Sequence, residues 1–261
     1  KYLRFEGITF DTGRNLAVSL HQAEHVAITD CTIRNFSLGG VLLDGSNNSI
    51  SGCEIANIGG YGVKVSGGTA AKLSKSSGSS VLDTLEQPVE ITSANNSVSH
   101  NTIYNFAWDQ KSQVPGVSLT GVGNSATYNE IHTAPHFGIL LRNTTDNVVA
   151  YNYVHDLPNY HKSDGGALYV GIGASPQLRG NEITNNYFEF IPTNGVYLDN
   201  FSSGIKVEHN VFNEVGNNND TFSGININGG GQNMMQQNFF YNAGRPIKYN
   251  KFAANSLFNN Y

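Results

Sequence analysis

The chain has 261 residues, of which 13% are charged, with 29 Gly, 7 Pro and a formal net charge of −5. So low a share of charged residues argues against a helix-rich surface, and the net charge gives no basic footprint for nucleic acid. No apolar run approaches the roughly 20 residues of a membrane-spanning helix, so we expect neither a nucleic-acid partner nor a membrane.

A repeat runs along the whole chain. Nine segments align on anchors at Ile8, Cys31, Cys53, Asn101, Asn129, Asn152, Asn186, Asn210 and Asn238. An apolar residue lies three positions before each anchor (Phe5, Ile28, Ile50, Val98, Ala126, Val149, Ile183, Val207, Met235) and another lies two positions after it (Phe10, Ile33, Ile55, Ile103, Ile131, Val154, Phe188, Phe212, Phe240). At 39% hydrophobic residues, chance would fill about seven of these eighteen places, whereas all eighteen are filled.

A second short strand follows in most segments, with apolar residues in alternation, as in "GVLLD" (40–44), "GVKVS" (62–66) and "GVYLD" (195–199). Most segments are too short for a crossover helix, and one such unit cannot bury its apolar face unless it stacks on its neighbours. The sequence therefore predicts an all-β protein, a right-handed parallel β-helix of about nine coils. We expect a single domain over 1–261, with a loop insertion at 69–90.

The anchors themselves favour a structural role. Asn tolerates turn conformations, and stacked amides can bond along the axis of the coils. Cys31 and Cys53 occupy the anchor position of adjacent coils, where a strand spacing of about 4.8 Å would allow a disulfide. We expect two stacked thiols instead, because two Cys in 261 residues do not make a disulfide framework.

Three segments are lengthened at the same turn, by loops 106–115, 157–165 and 214–223, which predicts that these loops wall one groove. Residues two and four after the strand glycine should point outward. One outward column then reads Ser118, Leu140, Leu168, Tyr197 and Asn226, the other reads Thr120, Arg142, Val170, Asp199 and Asn228, and His136, Asp164 and Thr193 precede the strands. Leu168 and Tyr197 should lie on the groove floor.

Two carboxylates across a groove are the machinery of a glycosidase. Asp164 and Asp199 fit that role, but their places on the repeat differ by six residues, about 20 Å along straight strands. They meet only if the chain bends at Gly165-Gly166, which a glycine pair permits. His132 and His155 should stack on adjacent coils. Asp156 would orient His155, and no third metal ligand is evident, so we expect no metal site.

The stretch from "GVSLT" at 116 to "GVYLDN" at 195 resembles the β-helix core of glycoside hydrolase family 141 and its relatives, and the likeness spans roughly residues 25–215. It is carried by "APH" (134–136), "SDGGALY" (163–169) and "GVYLD" (195–199). Members act on α-L-fucosides or xylan. The resemblance implies Asp164 and Asp199 as the catalytic pair, with His136 lining the pocket. Gly165 and the loop "PNYHK" depart from the family pattern.

The function predicted from the sequence is a glycoside hydrolase acting on a plant or algal polysaccharide or its oligosaccharides. Asp164 and Asp199 are the candidate catalytic residues, and the candidate substrate-binding residues are His136, Arg142, His155, His161, Leu168, Tyr169, Tyr197 and Asn226. A hydrolase of this kind needs no cofactor. We expect it to be secreted or periplasmic, because its substrate lies outside the cell.

Two alternatives stay open. A polysaccharide lyase or uronate epimerase would draw its base from Lys162, His161 or Tyr169, with Arg142 or Ca²⁺ neutralising a uronate. A non-catalytic glycan-binding β-helix would keep the groove without needing the carboxylate pair.

Overall fold

The structure is a computed structural model that describes residues 2–70, 91–157, 164–171, 179–200, 202–216, 221–250 and 256–261. The regular elements in these ranges are all β-strands. Among the described residues no helix is long and apolar enough to cross a membrane. The predicted all-β class is confirmed.

Three parallel sheets run the length of the molecule, each built from one strand per coil. Sheet A contains β1 (Leu3–Glu6), β4 (Val26–Thr29), β7 (Ser49–Ser51), β12 (Ser97–Ser99), β15 (Ser125–Thr127), β18 (Val148–Ala150), β21 (Glu182–Thr184), β24 (Lys206–Glu208), β27 (Met234–Gln236) and β30 (Ser256–Phe258). Sheet B contains β2 (Thr9–Gly13), β5 (Thr32–Phe36), β8 (Glu54–Ile58), β13 (Thr102–Phe106), β16 (Glu130–His132), β19 (Tyr153–His155), β22 (Tyr187–Ile191), β25 (Val211–Val215) and β28 (Phe239–Tyr241). Sheet C contains β3 (Leu16–Glu24), β6 (Gly39–Ser46), β9 (Tyr61–Gly67), β14 (Pro115–Val122), β17 (Phe137–Thr145), β20 (Gly166–Val170), β23 (Asn194–Asp199), β26 (Ile225–Asn228) and β29 (Ile247–Tyr249).

The strands of successive coils pair in parallel and in sequence order, so the chain is a β-solenoid of about nine coils, as predicted. The exception is a short antiparallel hairpin of β10 (Thr69–Ala70) and β11 (Ile91–Thr92) at the base of the predicted insertion. This hairpin lies between sheets C and A, whereas the three other lengthened loops join sheet B to sheet C. Residues 71–90 of the insertion lie outside the described residues.

Each coil turns at three corners, and each corner uses one residue in the left-handed backbone region. In the coil of Asn129 these residues are Gly123, Tyr128 and Thr133, with φ of 66°, 57° and 53°. They stand six before, one before and four after the anchor, and the same offsets recur in the neighbouring coils. A left-handed residue is uncommon for side chains such as Tyr and Thr. Its recurrence at fixed positions gives the coil a triangular section with three flat sheets.

The apolar positions of the repeat form the core. Fifteen of the eighteen predicted residues are buried, and the other three (Phe5, Phe10 and Phe240) belong to terminal coils and pack against the core while partly exposed. Each fully buried Ile or Phe contributes about 1.5–3 kcal/mol relative to exposure. Burial of a continuous stack of such residues is what holds the solenoid together.

The two cysteines are free thiols, as predicted. The backbone N–H of Cys31 lies 3.4 Å from the Sγ atom of Cys53 in the next coil. Burial raises the pKa of the Cys53 thiol to about 11. The stacked pair therefore extends the anchor column as small apolar residues with weak hydrogen-bonding capacity.

The anchor asparagines form a hydrogen-bonded ladder. The Oδ1 atom of Asn152 accepts the backbone N–H of Asn129 at 3.0 Å and the Nδ2 of Asn129 at 2.9 Å. Asn152 in turn donates through Nδ2 to the carbonyl oxygen of Ala126 and to the Oδ1 atom of Asn186, both at 2.9 Å. The structural role predicted for the anchor amides is confirmed.

A second ladder, which the sequence analysis did not anticipate, stands five residues before the anchors. Its members are Asn48, Asn96, Asn124, Asn147, Asn181 and Asn233, and all are buried. Asn124 donates its backbone N–H to Asn147 at 2.7 Å, and Asn96 donates its own to Asn124 at 3.3 Å. The signal was present in the sequence as a recurring Asn at a fixed offset. These positions are polar and lie outside the two apolar offsets that define the repeat.

Asn152→Leu should lower the free energy of unfolding by about 3 kcal/mol or more, because the buried donors of Asn129 and the carbonyl of Ala126 would lose their partner. Urea denaturation followed by circular dichroism measures the loss. Asn15→Leu, at an exposed position outside both ladders, is the matched control and should change stability little. Equal free energies of unfolding in the two variants would show that the ladder amide of Asn152 does not stabilise the fold.

Candidate functional site

The outer face of sheet C brings the chemistry-bearing side chains together. Strand register aligns two outward columns. The first contains Lys64, Ser118, Leu140, Tyr169, Tyr197 and Asn226. The second, two residues further along each strand, contains Ser66, Thr120, Arg142, Asp199 and Asn228, and Gly171 takes the place between Arg142 and Asp199. Residues two apart on a strand share a face. The columns predicted from sequence are therefore correct except on β20.

On β20 the predicted orientation of Leu168 was wrong. Leu168 pairs with Ile139 and Val196, both core residues, and is itself fully buried in the core. The outward place belongs to Tyr169, and Val170 likewise turns into the core. Gly166 pairs with Asn194, one residue before the strand glycine Gly195, so on β20 the glycine position of the repeat is held by Ala167. Leu168 cannot be part of a groove floor.

The carboxylate of Asp199 accepts three side-chain hydrogen bonds on this face. The residue is 5% exposed. The hydroxyl of Tyr169 donates to its Oδ2 atom, as does the Nδ2 of Asn200 at 2.7 Å, and the Nδ2 of Asn228 donates to Oδ1 at 2.7 Å. Three donors thus hold the carboxylate as an acceptor in a fixed orientation.

The negative charges of Asp164 and Asp199 both affect the pKa values of Tyr169 and Tyr197. Burial raises the pKa of Tyr169, and the hydrogen bond to Asp199 and the charges of Asp199 and Asp164 raise it further. Burial, then the charges of Asp199 and Asp164, raises the pKa of Tyr197 to about 12. Asp164 itself is exposed and sits just before the glycine pair with a φ of 24°, so the chain turns sharply there. The predicted catalytic pairing of the two carboxylates stays a prediction.

A small apolar cluster surrounds the tyrosines on the outer face. Its members are Phe137, Leu140, Tyr169 and Tyr197, each no more than 6% exposed. The rings of Tyr169 and Tyr197 meet edge to face at 5.2 Å between centroids. His136 is buried beside Phe137, 4.0 Å between ring centroids, and its Nδ1 atom accepts the backbone N–H of Gln113 at 3.3 Å. His136 therefore ties the 106–115 loop to sheet C.

Next to this cluster lies a cavity of about 430 Å³ on the same face. Its floor includes Lys64, Ser118, Thr120 and Arg142, and the 106–115 loop forms one wall. The ammonium group of Lys64 stands 4.0 Å over the ring centroid of Tyr61. Partial burial and then the charge of Arg142 lower the pKa of Lys64. Two cations thus share the floor of one polar cavity.

The 106–115 loop separates this cavity from a second one of about 700 Å³. The second cavity lies at the corner between sheets B and C and is mainly apolar, lined by Phe36, Phe106, Trp108 and Pro135. Trp108 is 55% exposed. For this loop, the predicted position at the edge of a groove is confirmed. The other two predicted loops contain residues 158–163 and 217–220, which lie outside the described residues.

His155 does not join the other candidate residues, because it lies on β19 of sheet B. His155 is therefore apart from the outer face of sheet C, and its predicted role in substrate binding stays a prediction. It stacks on His132 at 4.7 Å, as predicted, and its Nδ1 atom lies 2.8 Å from Asp156. The expectation that no third ligand is present was wrong, because Glu130 offers a third potential ligand atom within 4.8 Å of both histidines. The imidazoles are within 13° of parallel, so their nitrogen lone pairs do not converge on one ion.

Arg142, Tyr197 and Asn226 lie on the outer face of sheet C, as predicted, although Asn226 is buried and accepts a hydrogen bond from Asn250 at 2.9 Å. Tyr169 lies there too, in the place predicted for Leu168. His161 and Lys162 lie outside the described residues. Sequence reasoning missed Lys64. Its signal was the third residue of "GVKVS", which occupies the same outward column as Ser118 one coil further on.

Comparison with known proteins bears on the fold. The sequence matches the family model described as "Right handed beta helix region" at residues 1–77 and 39–240. The solved alginate lyase from Paenibacillus sp. str. FPU-7 superposes with a TM-score of 0.70 at 14% identity, covering 94% of this chain and 79% of that one. A search of the curated proteins finds no match.

Two further solved structures share the fold over part of their length. The Dettilon tailspike protein has a TM-score of 0.53 at 16% identity, covering 95% of this chain and 57% of that one. A mutant of a PL6 family alginate lyase has a TM-score of 0.51 at 15% identity, covering 92% and 36%. Identities this low establish a common fold alone. The finer resemblance to glycoside hydrolase family 141 stays a prediction.

Proposed function

Since this chain belongs to the right-handed β-helix family, we infer that it is an enzyme that cleaves a polysaccharide bound along the outer face of sheet C. The observation that carries the inference is the buried carboxylate of Asp199, held by three hydrogen-bond donors beside the tyrosine pair and next to a polar cavity on the same face. The fold shared with the Paenibacillus alginate lyase supports a polysaccharide as the substrate class. Such a substrate would place the enzyme outside the cytoplasm, secreted or periplasmic.

The first candidate reaction is hydrolysis of a glycosidic bond. Asp199 would act as base or nucleophile, because its three donors hold the carboxylate in an acceptor orientation. Asp164 would protonate the leaving oxygen from the exposed edge of the site. Tyr169 would orient Asp199 through its hydroxyl. Two carboxylates suffice for this chemistry, so no cofactor is required.

The second candidate is β-elimination from a uronate, and a specific observation favours it. The pKa of Lys64 is lowered by partial burial and by the charge of Arg142, which favours the neutral amine that can accept a proton. Arg142 would stabilise the negative charge that develops on the sugar carboxylate. In this reaction the two aspartates of the first candidate would be positioning residues.

The two reactions leave different products, so one experiment tests both. The protein is incubated with a panel of neutral, uronate and sulfated polysaccharides, and new reducing ends and ultraviolet absorbance are followed together. Reducing ends without absorbance support hydrolysis, and reducing ends with the absorbance of an unsaturated sugar support elimination. Tight binding with no new reducing ends on any polymer would contradict the proposed enzymatic activity and support a glycan-binding protein.

A further inference from the structure

We propose that Lys64 and Arg142 form an anion subsite on the groove floor that takes the carboxylate or sulfate group of an acidic sugar ring. The inference rests on the proposed function in that it names the substrate class of the same groove. It concerns recognition and is independent of hydrolysis at Asp164 and Asp199, whereas in the elimination reaction Lys64 would be the proton acceptor and Arg142 alone would hold the anion.

The strand register determines the geometry of the subsite. Lys64 lies on β9 and Arg142 on β17, and β14 runs between them. Two strand spacings are about 10 Å, so a ring substituent can reach both cations at once. Ser118 and Thr120 lie on β14 between the cations, and their hydroxyls face the same cavity. The volume of about 430 Å³ lies within the usual range for a small-ligand pocket.

The charges of the subsite are not compensated by the protein. Among the described residues, no carboxylate forms an ion pair with Lys64 or Arg142, whereas Arg4, Arg34 and Lys206 each have one. The Nε atom of Arg142 is buried and has no hydrogen-bond partner. A buried donor without a partner costs roughly 1–3 kcal/mol, so the protein itself leaves this guanidinium incompletely satisfied.

The pairing of two cations is itself unfavourable in the empty groove. Partial burial, and then the charge of Arg142, lower the pKa of Lys64, and the second cause reflects repulsion between the two cations. The whole chain carries a net charge of −5, so the cations are not part of a generally basic surface. An anion placed between them would remove the repulsion and accept hydrogen bonds from both. The planar guanidinium of Arg142 suits a carboxylate or sulfate, which can accept two bonds from it.

The neutral residues around the cations explain why a sugar is the expected carrier of the anion. Tyr61 stands under the ammonium of Lys64, and Leu140 lies between Ser118 and Tyr169 in the outward column. An apolar patch bordered by hydroxyls complements the alternating apolar and polar surfaces of a pyranose. A free phosphate or a small inorganic anion would leave these contacts unused.

The test is a comparison of matched ligands by isothermal titration calorimetry in the Asp164→Asn background, with each probe checked after titration to be intact, so that cleavage by either reaction is detected. The probes are a galacturonate tetrasaccharide, its neutral methyl ester and a sulfated galactan tetrasaccharide. We expect at least one anionic probe to bind about tenfold or more tightly than the neutral ester, with affinity falling as salt is added. The uronate and sulfate arms identify which anion the subsite takes.

Arg142→Gln should weaken binding of that anionic probe by about tenfold and leave the neutral ester unaffected. Lys206→Gln, which removes one positive charge from sheet A, is the matched control and should change neither affinity. If Arg142→Gln does not fold, Lys64→Gln tests the same point at an exposed side chain. Equal binding of charged and neutral probes, no anionic binding, or an unchanged affinity in the groove variant would overturn the subsite.

These outcomes separate the subsite from the proposed function. Cleavage of neutral polysaccharides without preference for charge would contradict the anion subsite and still support the proposed enzymatic activity. Charge-selective binding without cleavage would support the subsite and overturn the enzyme.

Discussion

Asp199→Asn should lower the turnover of polysaccharide cleavage by about a hundredfold or more, the scale of one lost acid or base group. The amide keeps the shape of the side chain and can still accept the hydroxyl of Tyr169, so the fold should survive. Asp164→Asn should have a comparable effect, because the proposed mechanism needs both carboxylates. Initial rates of reducing-end release, with the polysaccharide found in the panel, measure both variants.

Asp156→Asn is the matched control for this pair. It makes the same chemical change at an exposed aspartate on the sheet B side, where it contacts His155, and its left-handed backbone suits Asn. Its turnover should stay within about threefold of the parent, within the usual spread of surface substitutions. Full turnover in both groove variants would show that the carboxylates carry no chemistry. Loss in one alone would move the catalytic role to that residue.

Ile131→Asp should unfold the domain. Ile131 is fully buried at the centre of sheet B and pairs with Val154 of the next coil. An unpaired carboxylate there loses the apolar burial energy and adds a desolvation penalty of several kcal/mol, against a total stability of about 5–15 kcal/mol. Val154→Asp should behave the same way. Circular dichroism and resistance to protease measure the outcome.

Thr127→Asp provides the control for the core substitution, because Thr127 lies on the outer face of β15 only four residues before Ile131. It introduces the same charge to the same coil and should remain folded. A folded, protease-resistant Ile131→Asp variant would mean that the coils tolerate a charge inside, contrary to a dry core.

The fold was predictable because its determinants repeat. Apolar residues at two offsets from each anchor recur in every coil, and a buried pattern repeated nine times is hard to produce by chance. The left-handed corner residues were not predictable, because positions such as Tyr128 and Thr133 hold residues that rarely adopt this conformation. Only the tertiary stacking of the coils stabilises them there.

The site was predictable only where the repeat kept its phase. On β17 and β23 the strand glycine identified the outward residues correctly. On β20 the repeat begins one residue after Gly166, the second glycine of the pair. Counting from Gly166 therefore predicted Leu168 on the surface, whereas it lies in the core. The role of Lys64 depends on its distance from Arg142, two coils away, and no local pattern contains that distance.

The corner between sheets B and C accepts loops of different length in neighbouring coils. Ile58 and Val63 are five residues apart across the corner between sheets B and C, whereas their partners Phe106 and Val117 in the next coil are eleven apart, yet both pairs stay in register. Six residues were thus added to one coil without displacing a strand on either side. A loop grafted at this corner should therefore change which substrates the groove binds and leave the strands of sheets B and C unchanged. Substrate range and foldability can then evolve separately.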